Sequence, residues 1–171
     1  MASVKIGLPP IAPVDARLFI LGSLPGDASL AARRYYAHPT NQFWRLVGDV
    51  LGERLQSLDY EQRLERLAMN RIGLWDVVAS AAREGSLDQA IRSAEHNLID
   101  RLLGDYPELR AIAFNGSMAS AIGRRLVAAD YRLTLIDLPS SSAANTRPFS
   151  EKTQIWRELA HYCGSTSLRR A

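Results

Sequence analysis

The segment Tyr35–Trp44 carries the side chains of this sequence best suited to chemistry on a flat, polar ligand. Two tyrosines, a histidine, an asparagine and a glutamine crowd a loop that enters a predicted helix. Aromatic rings stack on nucleic-acid bases, and an Asn or a His can orient water or hold a carbonyl. A structural role also fits, with Tyr36 covering the core and Asn41 capping the helix, and Asn41 can serve both purposes. His38 is the one histidine in this loop, and we keep it as a candidate contact.

Two small-residue segments have the composition of loops that approach a ligand closely. Gly22-Ser-Leu-Pro-Gly26 follows an apolar run, and its backbone amides could approach a phosphate or a flat base. A plain tight turn is the commoner explanation of such a segment. It is not a phosphate-binding P-loop, because no Gly-Lys-Ser/Thr follows. Leu138–Asn145 is rich in hydroxyls and could contact a sugar-phosphate backbone or form an ordinary surface loop.

The elements that must position these segments are strands and helices in alternation. Apolar runs predict four strands, over residues 17–21, 71–77, 109–114 and 132–138. Helical spacing predicts helices over 41–55, 58–68, 117–129 and 150–162, and a further helix that starts at Ser86 with Leu87, Ala90 and Ile91 on one face. This order predicts an α/β fold, a three-layer α/β/α sandwich with a central, mainly parallel four-stranded sheet. Ligands bind outside the carboxyl ends of such strands, so the candidate segments should share one crevice.

Length and composition bound the rest of the prediction. The 171 residues fit a single domain over 1–171, with a core at about 16–163 and flexible ends. No apolar run approaches the roughly 20 residues of a membrane helix, and we expect a cytoplasmic protein without membrane partners. The single cysteine, Cys163, excludes an internal disulfide, and no two histidines have metal-ligand spacing, so we expect no metal.

The charge is small in total but uneven along the chain. The net charge is +3, and only two of the 21 basic residues are lysines. Residues 1–48 hold five basic and two acidic groups, residues 49–110 eight and twelve, and residues 111–171 eight and four. A polyanion should therefore meet the first and last thirds of the chain. Basic residues flank the candidate loops there: Arg33, Arg34, Arg45, Arg147 and Lys152.

Three motifs in order resemble the uracil-DNA glycosylase superfamily. They are Gly22-Ser-Leu-Pro-Gly26, Tyr36-Ala-His-Pro-Thr-Asn-Gln-Phe-Trp44 and Leu138-Pro-Ser-Ser-Ser142. Within the superfamily the chain is most similar to the hypoxanthine-DNA (deoxyinosine) glycosylase branch, with the mismatch-specific uracil/thymine-DNA glycosylases as neighbours. The resemblance implies a base-excision repair enzyme that flips a damaged nucleotide out of DNA and hydrolyses its N-glycosidic bond, leaving an abasic site.

The resemblance also assigns roles to residues. Leu24 stands where relatives carry the Asn or Asp that positions the attacking water, and Leu138 where they carry a His or Asn that stabilises the leaving base. The hypoxanthine branch has its catalytic Asn in the Asn-Gln-Phe-Trp segment, which implies that Asn41 positions the water. Tyr36 falls at the stacking position. The remaining expected base contacts are Gly22, Ser23, Leu24, His38, Trp75, Asp76 and Asn115, and the expected DNA-backbone contacts are Pro25, Gly26, Ser140, Ser141, Ser142 and Arg147, the last as a candidate gap filler.

Several of these residues also have structural explanations. Trp75 fits a core position, Asp76 a cap and Asn115 a turn. Both lysines lie outside the three motifs, so no Schiff-base nucleophile is evident and we expect a monofunctional enzyme without lyase activity.

The implied partner is damaged DNA, and we expect a monomer without cofactor or iron–sulfur cluster that associates with the nucleoid when bound to DNA. Two alternatives remain open. One is a uracil or thymine mismatch glycosylase, and the other is a catalytically inactive DNA- or base-binding module on the same fold.

Overall fold

A computed structural model describes residues 2–127 and 132–164. Its strands are β1 Ser3–Ile6, β2 Leu18–Gly22, β3 Ile72–Asp76, β4 Val78–Arg83, β5 Arg92–His96, β6 Ala111–Asn115 and β7 Thr134–Leu138. Its helices are α1 Asp27–Ala32, α2 Phe43–Leu51, α3 Tyr60–Met69, α4 Leu102–Asp105, α5 Ser117–Leu126 and α6 Phe149–Trp156. Short 3₁₀ turns cover 55–57, 88–90, 99–101 and 157–161. None of the helices in these ranges is long and apolar enough to cross a bilayer.

The four predicted strands form one parallel sheet in the order β3-β2-β6-β7. The central strand β2 is buried along its whole length, as expected for a parallel sheet covered on both faces. The predicted α/β fold with a four-stranded parallel sheet is therefore confirmed. Strands β2 and β3 start one residue later than predicted, and strands β6 and β7 start two residues later.

Alternate residues of β2 divide the core into two halves because successive side chains of a strand point to opposite faces. Leu18 and Ile20 pack in one cluster with residues of α2 and α6. Phe19 and Leu21 pack in a second cluster with residues of β4, α5 and the 99–101 turn. Helices thus cover both faces of the sheet, which gives the predicted three layers.

A second sheet was not predicted. Strands β1, β4 and β5 form an antiparallel sheet in the order β1-β4-β5. The helix predicted from Ser86 is wrong, because the chain makes only a 3₁₀ turn at 88–90 before β5. Leu87 is exposed while Ile91 packs against the second core cluster, so the apolar residues that indicated a helix do not share one buried face. The N-terminal segment, expected to be a flexible lead-in, pairs with β4 through β1.

The helix ends differ in detail from the prediction. The last helix starts at Phe149 after Pro148, not at Ser150, and continues beyond Trp156 as a 3₁₀ turn. Proline favours this position because its missing N–H is not needed at a helix start. The predicted end of the helix over 117–129 and the predicted frayed tail over 165–171 lie outside the described residues.

Candidate active site

The carboxyl ends of the parallel strands meet at one edge of the sheet, as the fold predicted. We call residues 22–26 the glycine loop, residues 35–44 the tyrosine segment and residues 138–145 the serine loop. Gly22 ends β2, Asp76 ends β3 and Asn115 ends β6. A Cβ atom placed on Gly22 would lie 2.5 Å from Asp76 Oδ1 and 3.3 Å from the hydroxyl of Tyr36. Glycine is therefore required at this position, and the glycine loop, the β3 end and the tyrosine segment converge there.

Tyr36 is held by its neighbours on one ring face and at its hydroxyl. Its ring stacks on Phe43 with centroids 3.7 Å apart and planes within 10°, and its hydroxyl accepts a hydrogen bond from Asn115 Nδ2 at 3.2 Å. Burial raises the pKa of Tyr36 above its ordinary value, so the phenol stays neutral. Since Phe43 covers one face, a base that stacks on Tyr36 must use the other.

Asn115 joins the tyrosine segment to the serine loop. Its Nδ2 donates to Ser141 Oγ at 2.8 Å, and its Oδ1 accepts from the Ser141 backbone N–H at 2.8 Å. The Ser141 carbonyl in turn accepts from the backbone N–H of Gln42 at 2.9 Å. With its amide engaged in this way, Asn115 fixes the relative position of two candidate loops.

Asn41 lies two residues before α2, next to the N-cap residue Gln42. Its Oδ1 accepts a hydrogen bond from the Phe43 backbone N–H at 2.9 Å, so the side chain binds the first N–H of the helix although Gln42, and not Asn41 as predicted, is the N-cap residue. An amide oxygen has a second lone pair, which can accept from a water molecule. The side chain is half-buried and can therefore serve both at the helix start and in the site.

Asp76 is the buried acid of the site. Its side chain is 4% exposed, and its Oδ2 has no hydrogen-bond partner within the described ranges. Burial and the nearby negative charge of Asp88 raise the pKa of Asp76 to about 7, against the opposing effect of Arg83. In its neutral form the carboxyl group offers one donor and one acceptor side by side. The preceding residue, Trp75, is half-buried and packs against the second core cluster.

The glycine loop itself is tied to residues that follow β3. Its Gly22 and Ser23 carbonyls accept from the backbone N–H groups of Val77 and Val78 at 2.9 and 3.0 Å. Ser23 Oγ donates to Asp88. The carbonyls of Leu24 and Pro25 accept from the guanidinium of Arg83. Arg83 was missed by the sequence analysis, because nothing in its neighbours marks it as buried.

Leu24 and Leu138 are apolar core side chains. Leu24 is 5% exposed and Leu138 is 4% exposed. They can neither orient a water molecule nor donate to a leaving base. Gly26, which follows Pro25, is the residue before α1 and takes an extended conformation there.

Lys152 binds the serine loop through hydrogen bonds from its ammonium group. This side chain is fully buried, and its Nζ donates to Gln42 Oε1 at 3.0 Å, to the Ser142 carbonyl at 3.3 Å and to the Asn145 carbonyl at 3.0 Å. Lys152 was expected among the basic residues that face an anion. That expectation is wrong, because the ammonium group is enclosed by these oxygens.

The outer parts of the site are more open. Ser140 Oγ and Ser142 Oγ accept from backbone N–H groups inside the serine loop at 3.2 Å. His38 is exposed, and its Nδ1 lies 2.9 Å from Thr40 Oγ1. Arg147 is exposed beside the serine loop. The other flanking arginines, Arg33, Arg34 and Arg45, are exposed as well.

The comparison with protein families fits this fold and site. The profile of the uracil DNA glycosylase superfamily matches residues 9–160. The chain therefore belongs to the uracil DNA glycosylase superfamily, and the predicted class of enzyme, a DNA glycosylase that acts on damaged DNA in repair, is confirmed.

Individual relatives match over almost the whole chain. A protein of Methanosarcina barkeri named hypoxanthine DNA glycosylase is 42% identical over 154 residues, which cover 90% of this chain and 96% of the relative. A protein of the same name from Methanosarcina acetivorans is 42% identical over 156 residues, covering 91% and 98%. The solution NMR structure of a candidate uracil DNA glycosylase from Methanosarcina acetivorans has a TM-score of 0.79 at 42% identity and covers 93% of this chain and 100% of that one.

Proposed function

We propose that this chain removes hypoxanthine from deaminated DNA. It hydrolyses the N-glycosidic bond of the flipped nucleotide and releases the free base, leaving an abasic site. The observation that carries the proposal is the 42% identity with a protein named hypoxanthine DNA glycosylase over 90% of this chain and 96% of that protein.

The proposed mechanism divides the work among the residues of the crevice. Bond cleavage develops positive charge on the sugar and negative charge on the leaving base. Asn41 orients the attacking water through its amide, since Leu24 and Leu138 have no polar atom on their side chains. Tyr36 stacks on the flipped base with the ring face that Phe43 leaves uncovered. Asp76 contacts the polar edge of the base at the floor of the site.

The other proposed contacts surround this centre. Backbone groups of Gly22, Ser23 and Leu24 approach the base, with Trp75, Asn115 and His38 lining its pocket. Ser140, Ser141 and Ser142 contact the DNA backbone, together with Pro25 and Gly26, while Arg147 fills the gap that the flipped nucleotide leaves.

We also propose that the enzyme has no lyase activity. A Schiff-base nucleophile must be a neutral amine that reaches the sugar. The Nζ of Lys152 is buried and donates to three oxygens, and Lys5 is ion-paired with Asp27 on the antiparallel sheet. Borohydride should therefore trap no covalent complex with DNA that contains an abasic site, and a trapped complex would contradict the proposal.

The substrate is tested with 5′-labelled duplexes that carry one inosine, uracil, xanthine or ethenoadenine, treated with alkali after incubation. Strand breaks at inosine are expected. Breaks at uracil but not at inosine would identify the alternative, a uracil or mismatch glycosylase. No break in any duplex, with binding retained, would identify a DNA-binding module without catalysis.

Asn41→Ala tests the catalytic assignment. We expect turnover to fall by about a hundredfold or more, as when one oriented catalytic group is lost, with duplex affinity kept. Asn70→Ala is the matched control, because the Asn70 amide donates to the Arg66 carbonyl at the end of α3. A parental cleavage rate in Asn41→Ala would refute the assignment.

We further propose that the enzyme acts as a cytoplasmic monomer without a metal. Light scattering at working concentration should give a mass near the 19.0 kDa of one chain, and cleavage should persist in EDTA. A dimer mass or loss of cleavage in EDTA would contradict the respective part.

A further inference from the structure

The antiparallel sheet, which no part of the proposed mechanism uses, contacts the glycine loop and the start of α1. Ser23 contacts both β4, through the Val78 N–H, and Asp88 in the turn that follows. Just beyond the loop, the Asp27 N–H donates to Ser86 Oγ at 2.9 Å, and Lys5 of β1 pairs with the Asp27 carboxylate. The position of the glycine loop is therefore set by this sheet as much as by β2.

Arg83, the last residue of β4, binds the glycine loop through its side chain. Its side chain is fully buried. Nη1 donates to the Leu24 carbonyl at 3.2 Å, and Nη2 donates to the Pro25 carbonyl. Burying a guanidinium is unfavourable unless hydrogen bonds and opposite charges compensate. Here backbone carbonyls of the glycine loop accept its hydrogen bonds, so the burial of Arg83 and the shape of the loop depend on each other.

Three acidic side chains from three elements act on this guanidinium. Asp27 of α1 lies 3.9 Å from Nη2, and the charges of Asp88 in the 88–90 turn and of Asp76 at the end of β3 also raise the pKa of Arg83, which burial lowers. Arg83 lowers the pKa of Asp76 while burial and Asp88 raise it. In the tyrosine segment, the charge of Asp76 raises the pKa of Tyr35 and of Tyr36. Among these groups, the positive charge of Arg83 lowers the pKa of both Asp76 and Asp88.

We propose that Arg83 is a positioning residue of the active site, whose guanidinium fixes the backbone of the glycine loop and whose positive charge acts on the Asp76 carboxyl group. The inference rests on the proposed function, because it assigns Asp76 and Gly22 to the base-binding end of the crevice. A shift of Leu24 and Pro25 would be transmitted to Gly22, whose missing Cβ leaves the space that Asp76 Oδ1 and the Tyr36 hydroxyl border. Misplacement of reacting groups by about 1 Å costs about a hundredfold in rate.

The test compares Arg83→Gln, which removes the charge, with Arg83→Lys, which keeps the charge but not the two-pronged contact. Arg157→Gln is the matched control, since Arg157 is exposed and pairs bidentately with Asp49 at 2.9 and 3.1 Å. Three quantities are measured in the full chain: single-turnover cleavage of the inosine duplex against pH, duplex affinity, and the titration of Asp76 by ¹³C carboxyl NMR.

We expect Arg83→Gln to cleave about a hundredfold more slowly with duplex affinity within about threefold of the parent. Its Asp76 titration and the matching limb of the pH profile should move to higher pH, because a nearby positive charge is lost. Arg83→Lys should leave the Asp76 titration near the parental position and recover part of the rate. Arg157→Gln should match the parent in all three measurements.

A parental rate and an unshifted Asp76 titration in Arg83→Gln would overturn the proposal, and so would equal shifts in the lysine and glutamine variants. If Arg83→Gln does not fold, as judged by circular dichroism, the lysine variant decides. A reduced rate with an unmoved Asp76 titration supports the proposal, and a parental rate refutes it. Failure of the parent to cleave inosine would refute the proposed function instead, while the NMR titration, which needs no substrate, would still report on Arg83.

Discussion

The buried carboxyl group of Asp76 should make the stability of this protein depend on pH in a defined direction. The folded-state pKa is raised from 3.8 to about 7 by burial and by Asp88. The neutral form is therefore favoured in the fold, while the unfolded chain ionises near the ordinary value. Below that ordinary value both states are protonated and the group costs nothing. As the pH rises from about 4 to about 7, the unfolded state alone loses its proton, and folding becomes less favourable.

The magnitude follows from the shift. A difference of about three pH units corresponds to about 4 kcal/mol of unfolding free energy lost above pH 7. Asp76→Asn removes the titration and keeps the shape of the side chain. The variant should therefore gain stability relative to the parent as the pH rises, by as much as about 4 kcal/mol at pH 8.

Urea unfolding at a series of pH values between about 5 and 8.5 measures this difference. Asp100→Asn is the control, because it makes the same change of side chain at an exposed position outside the site. The reasoning is refuted if the Asp76→Asn and parent curves run parallel. It is also refuted if the unfolding free energy of the variant falls relative to that of the parent as the pH rises, since this would mean that the carboxylate is stabilised in the fold.

Two further predictions concern the frame around the site. Lys152→Met should lower the unfolding free energy by about 3 kcal/mol, because three oxygens lose a buried charged donor. Arg157→Met, at an exposed position, is the control for the change to methionine. An unchanged urea midpoint in Lys152→Met would contradict the prediction. Gly22→Ala should slow cleavage and lower the unfolding free energy by about 1–3 kcal/mol, because its Cβ would lie 2.5 Å from Asp76 Oδ1. Gly104→Ala, whose Cβ meets no atom within 4 Å, should lower the unfolding free energy less. Equal losses in the two variants would contradict the steric argument.

The parallel sheet could be predicted because its strands carry a local signal. Each is a short apolar run that stops at Gly22, Asp76, Asn115 or Pro139, and buried strands of α/β proteins read as continuous apolar runs. The antiparallel sheet carries no such signal. Strand β5, Arg92–His96, is mostly exposed and pairs with β4 through two register shifts, so its pairing depends on contacts remote in sequence.

The part of the site that lies at the ends of the parallel strands could be predicted from the sequence. Gly22, Asp76 and Asn115 could be expected together because parallel strands end at one edge of a sheet. The charged residues beneath the loops could not be expected, because arginine and lysine are ordinarily exposed. Arg83 and Lys152 are both fully buried and donate to backbone carbonyls.

These two cations act on the two sides of one crevice. Arg83 binds the glycine loop after β2, and Lys152 binds the serine loop after β7 and the Gln42 side chain beside Asn41. Neither loop has regular secondary structure of its own to satisfy its carbonyls, so each depends on a buried donor. Because a buried cation held by carbonyls is strongly destabilising to remove, the loops that are proposed to meet DNA are also rigid parts of the fold. Such rigidity suits a site that must orient one water molecule and one base with little reorganisation.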